Sequence, residues 1–141
     1  MKLDVQNPGR PIIRLHDFNR DDLQRLRSSF EGLANGTKSS GRLDEEAYVE
    51  SIEGCRFILR VGNSNEGIER TVDPNLFGWV SQRSTWEPYA CTLTPEGWSR
   101  VLSGVDLLLH LRFLCSEYVW LHKQWDGHGT VAWLLSPSGE W

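Results

Sequence analysis

The chain is 141 residues long, 39% hydrophobic and 24% charged, with seven tryptophans, three cysteines and a formal net charge of -4. That size and composition predict one globular domain over residues 1–141 with a core of its own, and argue against a disordered chain. The acidic balance argues against nucleic acid or an anionic membrane as partner, since phosphate binding relies on surplus lysine and arginine.

The three cysteines, Cys55, Cys91 and Cys115, are odd in number and form no C-x-x-C pair. Neither a disulfide framework nor a zinc knuckle is expected, and a reducing compartment is the simple reading. The opening "MKLDVQNPGRP" has no apolar leader pattern. The most apolar run, "VDLLLHLRFL", holds Asp106, His110 and Arg112 and is too short to span a bilayer. A cytoplasmic protein without a membrane span is therefore expected.

In chain order, "PIIRL" (residues 11–15) reads as a short strand. A helix follows, with Leu23, Leu26, Phe30, Leu33 and Ala34 on one stripe at helical period. Asn19 suits the N-cap, Asp21 and Asp22 suit the first turn, and Asn35-Gly36 is a stop signal. A weak strand is expected within residues 42–52. "CRFILRVG" alternates Cys55, Phe57, Leu59 and Val61 with Arg56, Ile58 and Arg60, the period of a strand. After "NSNE", the segment "GIERTV" is expected to return as the second arm of a hairpin, with Arg60 facing Glu69. "LFGWVSQ" and "EPYACTL" suggest another hairpin around "RSTW".

"TPEGWSRVLSGVDLLLHL" predicts a second helix, capped by Thr94 with Pro95 at its first position. "EYVWLHKQ" and "GTVAWLLS" predict a final hairpin about Asp126-Gly127, a strong type I′ signal. That register sets Trp120 opposite Trp133 as a core pair, and Trp125 opposite His128 at the turn. The fold class expected is α+β: an antiparallel sheet of about six or seven strands built from hairpins, with two helices on one face.

No catalytic signature emerges. "GNSNEG" misses the nucleophile elbow by one residue and lies between strands. "DFNRDD" begins like a calcium loop, but Asp22 and Ser28 stand where Gly and Glu are needed. His122, Asp126 and His128 resemble metal ligands only in one dimension, because a hairpin sends His122 and His128 to opposite faces. Cys55 and Cys91 read as core thiols. Cys115 with His110 or His122 is the one pairing with reactive potential, and Asp106 with His110 reads as an ordinary helix pair. No metal or cofactor is expected.

"DEEAYVE" gathers Asp44, Glu45, Glu46 and Glu50. Its plain reading is a solvated charged face; its functional reading is a patch that steers a basic partner. Trp86, Trp125, His128 and Trp141 fall at expected turns or at the terminus; the plain reading folds Trp125, His128 and Trp141 back as a lid, and the functional reading makes these side chains contact anchors. Together these features predict a non-enzymatic protein-binding module of inhibitor, immunity or adaptor type. Its candidate partner-binding residues are Asp44, Glu45, Glu46, Trp86, Trp125, His128 and Trp141. One alternative is a small-molecule-binding protein or small enzyme with a pocket lined by Trp98, Tyr118, Trp120 and His122. Another is a homo-oligomeric structural protein, a homodimer being its simplest form.

Overall fold

The computed structural model describes residues 1–6, 11–93 and 131–136. Among these residues, eight strands and two helices follow in the order β1 (Lys2–Gln6), β2 (Ile12–His16), α1 (Arg20–Asn35), β3 (Ser40–Arg42), a 3₁₀ turn (Leu43–Glu45), β4 (Glu50–Ser51), β5 (Arg56–Val61), β6 (Gly67–Arg70), β7 (Leu76–Ser81), α2 (Arg83–Thr92) and β8 (Ala132–Ser136).

The class is α+β, but the sheet is neither single nor antiparallel. Among the described residues two mixed four-stranded sheets form, ordered β4-β1-β2-β8 and β3-β5-β7-β6. In the first, β1 and β2 are antiparallel, while β4 lies parallel to β1 and β8 parallel to β2. In the second, β7 lies parallel to β5, with β3 and β6 antiparallel to their neighbours. The Val131 N–H donates to the Ile68 carbonyl at 3.2 Å, so one backbone bond links the sheets.

The expected β5–β6 hairpin does not close. β7 lies between the two strands, and Glu69 faces Gly78 instead of Arg60. The reason lies in β7 itself. Phe77, Trp79 and Ser81 face inward, while Leu76, Gly78 and Val80 face outward and are half-buried. A strand this apolar on both faces gains most from two neighbours. The loop at residues 62–66 need only cross two strand spacings, about 10 Å, which five residues span easily.

α1 forms as its sequence dictates. Asn19 accepts from the Asp22 N–H at 3.0 Å, and Asp22 accepts in return from the Asn19 N–H, a reciprocal cap. Gly36 ends the helix at φ 89°, a left-handed conformation that favours glycine. The last turn of α1 has no basic residue of its own. Arg83 of α2 takes that role and donates to the Leu33 carbonyl at 2.9 Å.

α2 replaces the strand expected at "EPYACTL". Tyr89, Cys91 and Leu93 alternate, but Trp86, Tyr89, Ala90 and Leu93 also share one helical face, and those four are buried. Packing against α1 decides between the two periods: the Phe30 and Trp86 rings lie 5.3 Å apart. The segment expected as a second helix, residues 94–111, lies outside the described residues, as do the strand at residues 117–124 and the Asp126-Gly127 turn.

One core serves both sheets and both helices. Leu3, Ile13, Leu15, Trp133 and Leu135 meet Phe57, Leu59, Ile68, Phe77 and Trp79, with Leu26, Phe30, Leu33 and Trp86 from the helices. Trp79 is its hub, with ring centroids 4.8 Å from Tyr89, 5.1 Å from Trp86 and 5.3 Å from Trp133. Trp133 is therefore core, as its alternation predicts; its expected partner Trp120 lies outside the described residues.

Candidate functional site

The acidic segment runs along the 3₁₀ turn into the edge strand β4. Asp44 and Glu45 lie in the turn, Glu46 follows it, and Glu50 opens β4. Glu53, at φ 52°, begins the reversal into β5. The carboxylates do not share one role. The Asp44 side chain is only 6% exposed. Its Oδ1 accepts the Phe57 N–H at 2.8 Å, which satisfies a backbone donor at the start of β5. Arg42 grips the same carboxylate with both arms, Nε to Oδ1 at 3.0 Å and Nη2 to Oδ2 at 2.5 Å. Burial pushes the Asp44 pKa up, but the hydrogen bonds from Arg42 and Phe57 and the guanidinium charge outweigh it and hold the carboxyl below its usual range.

Glu45 is different. Its side chain is 65% exposed and meets Arg42 Nη1 at 3.1 Å. Glu50 and Glu53 are also exposed, and Glu46 is half-buried. Asp44 thus pins the segment to the sheet, and the glutamates project from a fixed backbone.

Trp86 is not a turn residue. It sits in α2 and is fully buried. Its Nε1 donates to the carbonyls of Arg60 at 3.3 Å and Ser81 at 3.2 Å, tying α2 to β5 and β7. It therefore packs as a core tryptophan, far from the surface anchor its expected turn suggested. Trp125, His128 and Trp141 lie outside the described residues, as do Trp98, His110, Cys115, Tyr118, Trp120, His122 and Asp126.

A second charged cluster has no counterpart among the sequence expectations. It lies on the outer face of β1 and β2, where alternation places Lys2, Asp4 and Arg14, His16 opposite one another. Arg14 holds Asp4 through two bonds of 2.7 Å and 2.5 Å. His16 Nε2 lies 3.2 Å from Asp4, and its Nδ1 lies 3.6 Å from Asp17. Lys2 closes the chain on Asp17 at 2.7 Å. Burial raises the Asp4 pKa, but Arg14 and then His16 outweigh it and keep the carboxyl low. Both ring nitrogens of His16 face carboxylates, which orients the ring. The sequence signal was the alternation in "KLDVQ", too short to name a strand until "IIRLH" pairs with it.

Cys55 is buried, and burial pushes its thiol up to about 12, with Asp4 and Asp44 adding to the shift. A thiol so placed is inert at neutral pH. Cys91 departs from its expected core position: it is exposed and free. It borders a groove of about 340 Å³ between α1 and α2, lined also by Glu31, Ala34, Asn35, Glu87 and Ala90. Among the described residues, no group of three or more His, Cys, Asp or Glu is placed to hold a metal ion. No helix among them is long and apolar enough to cross a membrane. Comparison of the chain with protein-family models, with curated proteins and with solved structures finds no match to any of them.

Proposed function

We propose that the chain is a non-enzymatic protein-binding module of inhibitor, immunity or adaptor type, and that its acidic rim guides a basic partner. The observation that carries this reading is the anchoring of Asp44 by Arg42 and the Phe57 N–H, beside the exposed Glu45. A charge held on fixed backbone keeps its position during encounter, which favours steering over a flexible acidic tail. Glu45, Glu46 and Glu50 carry the approach, and Asp44 acts indirectly by holding the segment.

The test is capture from a lysate of the native host, with parent and Glu45→Gln/Glu46→Gln/Glu50→Gln chains compared at low and high salt. The parent is expected to retain a basic-faced protein. For that protein the triple variant should associate about tenfold more slowly at low salt, with little change in dissociation, as exposed charges act mainly on encounter. A partner that binds both chains at the same rate, or no partner at either salt, overturns the proposal.

A further inference from the structure

We infer that the outer face of the β3-β5-β7-β6 sheet seats a second copy of this chain. This goes beyond the proposal above and rests on different residues. The face is built by alternation. With Phe57, Leu59, Phe77 and Trp79 committed to the core, Ile58, Leu76, Gly78 and Val80 are turned outward and none is fully buried. Gly78 stands at the centre, and a Cβ built there would meet nothing within 4 Å, so the middle of the sheet is flat and open. Among the described residues, Val72 at the β6–β7 turn is a fully exposed large apolar residue, at 106%.

The charges on this face select the occupant. Arg60 of β5 lies on one flank and Glu69 of β6 on the other, both exposed. Among the described residues neither forms an ion pair, whereas Arg42 and Arg56 are engaged by Asp44 and Asp73. An acidic or a basic partner would satisfy one flank and repel the other. A second copy satisfies both.

The register fixes the symmetry. Arg60 is level with Val80, and Val80 with Gly67; Ile58 is level with Gly78, and Gly78 with Glu69. A two-fold axis running along β7 between the stacked sheets carries β5 of one copy over β6 of the other. Arg60 then lies one side-chain length from Glu69 of the second copy, and the contact occurs twice. An axis across the strands would set Arg60 against Arg56 and is disfavoured.

About this axis β5, β7 and β6 overlap while β3 has no counterpart, so the shared face is roughly 14 Å across and at most about 20 Å along the strands, and with side-chain relief the pair buries about 700–900 Å² in total. That area suits a weak, transient association, and a dissociation constant of about 100 µM or weaker is expected.

Sedimentation velocity of the full chain across about 10 µM to 1 mM, a span chosen to bracket such a constant, reads the association. The parent should pass from monomer to dimer. Arg60→Glu and Glu69→Arg should each raise the dissociation constant about tenfold or more, and the double variant should return it to within about threefold of the parent. Gly78→Lys, placed in open space, should give a folded monomer. Restoration by the double swap excludes misfolding as the cause of the single-variant losses. A parent that stays monomeric throughout, a dimer indifferent to these changes, or a double variant no better than the singles each overturns the inference. None of these variants touches Glu45, Glu46 or Glu50, so failure here leaves the acidic-rim proposal separately testable.

Discussion

Replacing Asp44 by alanine strips the Phe57 N–H of its acceptor and Arg42 of its bidentate partner. A buried backbone donor left without a partner costs about 1–3 kcal/mol. The Arg42 pair adds about 0.2–1 kcal/mol, kept small because the Arg42 side chain is 33% exposed and solvent screens it. The expected loss is roughly 2–3 kcal/mol, or about 6–12 °C in Tm for a domain of this size. Asp44→Asn should lose about half as much, since its amide oxygen still accepts from Phe57 while its NH₂ meets the Arg42 donors. The pH profile separates charge from shape. The Asp44 pKa is depressed in the folded chain, so its stabilisation is full above the unfolded value near 3.9 and is lost as pH falls through the lower folded value. The gap between parent and Asp44→Asn should thus be constant from about pH 5 to 8 and shrink below about pH 4. Urea unfolding followed by circular dichroism across that range is the assay. Equal stability of parent and Asp44→Ala at pH 7 would refute the pin and return Asp44 to the solvated surface.

Trp79→Ala empties the hub of the aromatic cluster and should cost about 4–5 kcal/mol, the top of the range for a large buried ring; a urea midpoint near the parent's would show that the ring is not packed as described. Trp86→Ala should likewise lower stability by about 3–5 kcal/mol through lost packing, and a variant of parental stability that only loses a partner would restore its reading as a contact anchor. Thiol labelling at pH 8, read by peptide mass spectrometry, should modify Cys91 quickly and leave Cys55 unlabelled until the chain unfolds; fast native labelling of Cys55 would contradict its burial. Gly36→Ala should destabilise by at least about 1 kcal/mol in thermal melts, because a side chain at φ 89° is strained and its Cβ would sit 2.9 Å from the Arg83 guanidinium; a neutral effect would mean that the cap relaxes freely.

Elements that carry their own signals were legible in the sequence. Asn19, the Leu23-Leu26-Phe30-Leu33 stripe and Asn35-Gly36 locate α1 without tertiary help. The alternations at Phe57–Leu59 and Phe77–Trp79 mark β5 and β7 and assign their inner faces. Pairing was not legible, because alternation says which way a side chain points and nothing about which strand lies beside it. β7 enters between β5 and β6 on the strength of two apolar faces, a property seen only by reading both faces together. α2 was hidden because Trp86, Tyr89 and Leu93 fit a helix while Tyr89, Cys91 and Leu93 fit a strand, and the contact with Phe30 decides. Part of the acidic segment was legible as charge. Its division into a pin and a display was not, since the role of Asp44 depends on a backbone donor 13 residues away.

The parallel register of β2 with β8 has a consequence for how the molecule is made. Ile12 lies beside Ala132, and His16 beside Ser136, partners separated by about 120 residues of chain. At about 5–20 residues per second, β2 leaves the ribosome roughly 6–24 seconds before its neighbour exists. During that interval its edge is open on one side, and the place of Trp133 beside Trp79 is empty. The nascent chain can form α1 at once, but neither the first sheet nor the aromatic hub can be completed until β8 arrives. Contacts this distant in sequence slow the final step and leave an adhesive strand exposed meanwhile. A nascent chain stalled before residue 131 should therefore be sensitive to protease and bound by chaperones, and release of a few more residues should convert it cooperatively to the protected state.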